Sequence, residues 1–335
     1  MTSRQCVTTC FIFALLSSCG SSHKATHSAL NEAIDGRNAP QNITGAGIID
    51  DKLDSLPTRG TTKPIWHGDW WPLSEGGTAR RSSPNELSPL EKYDLVTNQN
   101  SSATQWERAR ARQFGDVSWA GHCNGLASAA MKEPEPRKNA VYNGVTFTPD
   151  DVKGLLVEMW QGGGKIVGGR CQSNNLERDS YGRPIDPHCR DLNPGTLHLA
   201  LTNFVGKNRI SVILDVSNEE EVWNFAVSSF ESAVRKVTKE EALRILGLNG
   251  SNYPFHATAS QFANVSTTVR FASQPQITLQ YILELNAEGR ILGGEWSGNS
   301  KKSHPDFIWR PDSSPNPENP HINPEIVRQI ARLSY

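Results

Sequence analysis

Ser118-Trp119-Ala120-Gly121-His122-Cys123-Asn124-Gly125-Leu126-Ala127-Ser128-Ala129-Ala130-Met131 is the stretch on which the reading of the whole chain turns. Leu126, Ala127, Ala130 and Met131 fall on one helical stripe, so the spacing predicts a helix that begins at or just before Cys123. A thiol there feels the positive end of the helix dipole and the unpaired first-turn N–H groups, and both favour thiolate. The same N–H groups can receive a developing oxyanion. Gly121 and Gly125 leave little side-chain bulk beside the sulfur, which gives a substrate carbonyl room to approach. Against this stands the ordinary reading of a small buried cysteine as a packing residue.

The other cysteines set Cys123 apart. There are six in the chain. Cys6 and Cys10 lie in an apolar run that breaks into Leu16-Ser17-Ser18-Cys19, which reads as an export signal. Its ending resembles a bacterial lipobox, with Cys19 as the acylated first residue of the mature protein; an ordinary secretory signal is the alternative. Either places the mature protein outside the reducing cytosol, lipid-anchored to a bacterial cell envelope at the outer membrane or otherwise secreted. Cys171 and Cys189 bracket a polar stretch with too few apolar residues to hold itself in place. A disulfide there would contribute about 3 kcal/mol on a chain-entropy model. Zinc on Cys171, His188 and Cys189 is the alternative, but adjacent His and Cys side chains point in different directions. Cys123 is left without a partner, and an odd free thiol in an exported protein calls for an explanation.

Composition removes several classes. The 335 residues carry 34 Lys and Arg against 35 Asp and Glu, a net charge of −1, so there is no electrostatic surplus for nucleic acid. The apolar part of the leader is about a dozen residues, short of the roughly 20 needed to span a bilayer. No repeat recurs at a fixed period. The expected organisation is a signal peptide over 1–18, a disordered tether over 19–63, a catalytic domain over 64–312, and a Pro-rich loop with a short C-terminal helix over 313–335. Ser88-Pro89-Leu90-Glu91 and Thr148-Pro149-Asp150-Asp151 each put a hydroxyl at N-cap, Pro at N1 and an acid at N3, and so open helices. Residues 265–271, 277–285 and 291–296 read as strands separated by turns. The fold class is α+β, with helices in the first half and strands in the second.

A cysteine nucleophile needs an imidazole, and the imidazole an orienting group. Thr196-Leu197-His198-Leu199-Ala200-Leu201-Thr202 alternates, and Ile210-Ser211-Val212-Ile213-Leu214-Asp215-Val216 follows after a turn-like stretch. Paired as a hairpin with residue numbers summing to 413, Leu197, Leu199 and Leu201 face Val216, Leu214 and Val212, and His198 stands opposite Asp215. Opposed Cβ atoms lie about 5 Å apart, which suits a His–carboxylate hydrogen bond. His122 and His188 compete as bases. His122 points away from the sulfur on a helix start, and Asp186-Pro187-His188 lies in the loop expected to be clamped. His304-Pro305-Asp306 reads as a structural turn.

Trp70-Trp71-Pro72, Ser88-Pro89-Leu90-Glu91-Lys92-Tyr93-Asp94, Trp119-Ala120-Gly121-His122-Cys123-Asn124-Gly125, Asp186-Pro187-His188-Cys189-Arg190-Asp191-Leu192-Asn193-Pro194-Gly195 and Glu221-Val222-Trp223-Asn224 together resemble the transglutaminase elicitor family, over roughly residues 66–309. The resemblance implies a papain-like, transglutaminase-like core with the nucleophile on a helix start and His and Asp on an antiparallel sheet. It also implies a cysteine transglutaminase with a Cys-His-Asp triad, mapped onto Cys123, His198 and Asp215, with Trp119 as a wall of the acyl site or a packing residue. The implied partners are proteins, one donating a glutamine and the other a lysine or amine, with membrane contact only through the lipid. The runner-up readings are a thiol protease or amidase and a non-catalytic cell-surface recognition protein. The chemistry requires no cofactor. Calcium would have the loop of Glu177, Asp179, Asp186 and Asp191, but three arginines interleave with these acids, which reads as a solvated, ion-paired loop.

Overall fold

The computed structural model describes residue 34 and residues 36–170, 176–186, 189–217, 220–272 and 274–335. Its strands are β1 (Arg59–Thr61), β2 (Ala140–Tyr142), β3 (Val145–Phe147), β4 (Ile166–Gly168), β5 (Ile213–Asp215), β6 (Asn224–Val237), β7 (Gln261–Phe271), β8 (Ile277–Leu285), β9 (Ile291–Trp296) and β10 (Phe307–Trp309). Its helices are α1 (Pro89–Thr97), α2 (Ser102–Phe114), α3 (Cys123–Lys132), α4 (Pro149–Met159), α5 (Pro194–Ala200), α6 (Lys239–Ile245) and α7 (Pro324–Ser334). No helix among the described residues is long and apolar enough to cross a membrane.

An antiparallel sheet runs in the order β4-β10-β5-β6-β7-β8-β9, with β1 paired to β6. Residues 265–271 of β7 and the first half of β8 alternate apolar and polar residues in sequence, which is how one buried sheet face is written, and β7, β8 and β9 pair as neighbours. Helices α1, α4 and α7 form a second body around Leu90, Tyr93, Leu155, Leu156, Met159 and Ile330. Ser88 and Thr148 complete the reciprocal capping boxes that start α1 and α4. Between the two bodies lies a small apolar seam of Ala127, Ile213, Val222, Ala226, Phe307 and Trp309. It joins α3 to β5, β6 and β10, and it carries the site.

Two expectations change. Residues 36–63, expected as a tether, carry β1 and short 3-10 turns, and Ile43, Leu53 and Leu56 are buried against the main core. Scattered single apolar residues can each fill one gap in a core built by other elements, so a segment without a period can still be ordered. The hairpin is the larger correction. Thr196 to Thr202 is not a strand: Asn193 Oδ1 accepts the Gly195 N–H at 2.8 Å, Pro194 occupies N1, and α5 runs on into a π-helical segment, Leu201–Lys207. Every residue from Pro194 to Val205 is buried. A helix enclosed on all sides has no exposed face, so its sequence need not show a 3.6-residue period.

Candidate active site

The chain enters α3 under tight control. His122 N–H donates to Trp70 O at 2.8 Å and Leu73 N–H to Ala120 O at 2.9 Å. Gln161, just past α4, accepts the Gly125 N–H on Oε1 at 3.0 Å and donates from Nε2 to Gly121 O at 3.4 Å. The two glycines serve this packing. A Cβ at Gly121 would lie 2.5 Å from the Trp70 ring, and one at Gly125 would overlap the Val157 carbonyl oxygen. Gly121 also lines the cavity beside the sulfur.

Cys123 is the first residue of α3 and the free cysteine among the described residues. Its Sγ lies 3.7 Å from both Asn124 Oδ1 and Val222 O. Burial pushes the thiol up to about 11; the charge of Asp215 adds to the rise, while the N–H groups of Asn224, Asn124 and Cys123 oppose it. Helix-start polarity is present and desolvation outweighs it. The resting side chain is a protonated thiol. Around it Asn224 links both walls, donating to Asn124 Oδ1 at 2.7 Å and accepting from Trp309 Nε1 at 2.7 Å. A cavity of about 560 Å³ opens beside the sulfur, lined by Trp119, Asn124, Arg170, Asn224 and Phe307.

Asp215 ends β5 opposite Asn224. Its Oδ1 accepts the backbone N–H of Trp223 at 2.8 Å and of Ser217 at 3.4 Å. Its Oδ2 is buried with no hydrogen-bond partner among the described residues. Burial raises its pKa to about 7 despite those N–H groups and Arg170. Asp306, whose N–H donates to Ser217 O at 3.1 Å, sits immediately before β10 in the same neighbourhood, and burial with the charges of Asp191 and Asp215 raises it to about 9. The structure therefore brings Cys123 and Asp215 together and adds Asn224, Gln161, Arg170 and Asp306. Asn224 stands in the Glu221-Val222-Trp223-Asn224 element and Asp306 in His304-Pro305-Asp306, while nothing in the sequence singles out Gln161 or Arg170.

His198 is elsewhere. It lies on α5, its Nδ1 is 2.9 Å from Tyr281 Oη, and burial lowers its pKa to about 4. It does not stand opposite Asp215. His122 points away from the sulfur: its Nε2 is 2.7 Å from Glu107 Oε1 and 3.6 Å from Glu158 Oε1, and the two carboxylates raise its pKa against burial. Glu107, His122 and Glu158 are also the group among the described residues whose donor atoms, all within 4.8 Å of one another, could hold a metal ion. Among the described residues no imidazole is hydrogen-bonded to the Cys123 thiol. Trp119 is half-buried, packs on the seam, and has the Arg170 guanidinium 5.9 Å from its ring centroid. Asp179 pairs with Arg183 at 3.1 Å, and Asp191 with His304 at 2.9 Å. Cys19, Cys171 and His188 lie outside the described residues, and with them the Cys171–Cys189 pairing and the zinc alternative.

The fold is similar to that of the GP42 transglutaminase from Phytophthora sojae, with a TM-score of 0.69 and 23% identity over 85% of this chain and 94% of that one. No curated protein sequence matches the chain. The model of one family, transglutaminase elicitor, matches residues 97–321. That span holds the α3 start, the seam and strands β2 to β10, well over half of the sequence: the chain belongs to the transglutaminase elicitor family.

Proposed function

We propose that the protein is a protein-glutamine γ-glutamyltransferase acting through a thioester on Cys123. The observation that carries this reading is the thiol itself: a free cysteine at a helix start, on the wall of a cavity, with Asp215 close enough for its charge to act on the sulfur. The thiol attacks the side-chain amide of a glutamine, the C–N bond breaks, and ammonia leaves with the proton the thiol gave up. An amine then resolves the thioester to an isopeptide bond, or water resolves it to glutamate. The N–H groups of Cys123 and Asn124, which act on the sulfur while that of Gly125 is taken by Gln161, support an oxyanion site at the start of α3.

The test is incorporation of a labelled primary amine into a glutamine-rich protein, with Cys123→Ala alongside. The proposal expects incorporation that the substitution abolishes. Incorporation by C123A overturns it, and peptide cleavage without incorporation favours a thiol protease instead. The base is assigned by comparing H188Q, H198Q and H304Q. His198, held by Tyr281, should be dispensable to the chemistry, and the substitution that removes thiol acylation without unfolding the chain marks the imidazole.

A second reading, a recognition protein on a cysteine-enzyme scaffold, draws on the burial of the thiol and its raised pKa. It expects C123A to keep all cell-surface activity. We also propose that Cys19 carries a lipid and that Cys171 pairs with Cys189; the mass of the mature N-terminal peptide and a non-reduced peptide map check both.

A further inference from the structure

Three buried side chains meet one residue before the nucleophile and take no part in the chemistry proposed above. Glu107 comes from α2, His122 from the position just before α3, and Glu158 from α4. All three side chains are 0% exposed. The imidazole Nε2 lies 2.7 Å from Glu107 Oε1 and 3.6 Å from Glu158 Oε1, and the three donor atoms fall within 4.8 Å of one another. Ligand atoms about 2.0 Å from a tetrahedral zinc stand about 3.3 Å apart, and the two separations fall on either side of that value. Bonds within the group leave polar atoms over: Glu107 Oε2, His122 Nδ1 and Glu158 Oε2 are each buried with no hydrogen-bond partner among the described residues. Orphaned oxygens on two dry carboxylates are costly unless something pairs with them.

Charge points the same way. With both acids ionised, a protonated imidazole still leaves one negative charge over. Arg110 acts on the group from nearby, but its Nη2 is bound to Glu318 at 2.7 Å. A proton can fill the deficit, and so can a divalent ion, which releases the proton as it binds. Both carboxylates are held by the 3-10 turn Gly77–Ala79: Thr78 donates its hydroxyl to Glu158 Oε1, and a Cβ at Gly77 would overlap Glu107 Oε1. Such outer contacts orient metal ligands. One imidazole nitrogen with carboxylate oxygens suits a zinc-like ion, whereas calcium takes oxygens alone and more of them. We propose that Glu107, His122 and Glu158 bind one zinc ion, with an orphaned carboxylate oxygen completing its contacts. The ion ties α2 and α4 to the start of α3 and so fixes the position of Cys123.

The experiment takes untagged protein purified from zinc-supplemented medium and measures its metal content by elemental mass spectrometry and the zinc ligands by X-ray absorption. About one zinc per chain is expected, kept in EDTA at neutral pH and released by EDTA in urea, with nitrogen and oxygen as the only ligand atoms. E107Q and E158Q each lower the zinc content at least about tenfold, whereas C123A keeps it. Wild-type protein refolded from urea and EDTA gains Tm when zinc is added, and E158Q does not. Zinc below about a tenth of an equivalent, sulfur among its ligands, a content that E107Q and E158Q leave unchanged, or a wild-type Tm indifferent to zinc overturns the site. The X-ray absorption and Tm readouts on the wild-type chain decide the matter even where a variant fails to fold. All are read without substrate, so their failure leaves the acyl-transfer reading standing.

Discussion

At Cys123 two physical effects compete, and their sizes decide the outcome. A helix N-terminus stabilises an adjacent anion by about 1 kcal/mol. Burial that carries the thiol to about 11 corresponds to about 3 kcal/mol. The motif made Cys123 legible as the candidate nucleophile, but its burial depends on contact with Val222 and Asn224, about a hundred residues away in sequence. The resting protein should therefore react with iodoacetamide at pH 7 about two orders of magnitude more slowly than free cysteine; alkylation followed by mass spectrometry checks this. His198 yields a prediction of different sign. Its folded pKa of about 4 lies below the ordinary value of 6.5, so the unfolded chain binds the proton first. Its contribution to stability is complete above pH 6.5 and is lost as pH falls towards 4, by about 3 kcal/mol. Urea titrations across that range should show the loss, and H198Q should flatten it.

Elements show where sequence reading held and where it failed. Capping boxes are local devices, so Ser88 and Thr148 were readable without tertiary knowledge, and both form. The start of α3 at Cys123 was readable from small-residue spacing. The stretch around His198 alternates Leu with other residues as a sheet face does, yet Asn193-Pro194 before it is a helix-start signal, and the helix forms. Asp215 still reached a strand, paired with β6 in place of the imagined partner. The two glycines of the motif carry a packing role that their sequence does not announce, against Trp70 and the Val157 carbonyl. Gly125→Ala should accordingly lose about 1–3 kcal/mol of stability, the range for overpacking, as read by urea unfolding. An alanine that leaves stability unchanged would show that α3 is not pressed against the Val157 carbonyl.

In the whole molecule the candidate site lies at the seam between a helical body and an antiparallel sheet, and draws residues from both. Cys123 comes from the helical side, and Asp215, Asn224 and Asp306 from strand ends on the other. The fold class was legible because each body writes its own period into the sequence. The meeting of the two was not, because it rests on long-range contacts that leave no pattern. The central claim is a covalent intermediate on Cys123. Its most direct measurement is the intact mass of the protein quenched with a glutaminyl peptide, followed by mapping of the adduct. The account predicts a gain equal to the peptide less one ammonia, sensitive to hydroxylamine, on Cys123 and absent from C123A. No adduct under turnover, or an adduct that persists in C123A, would contradict it.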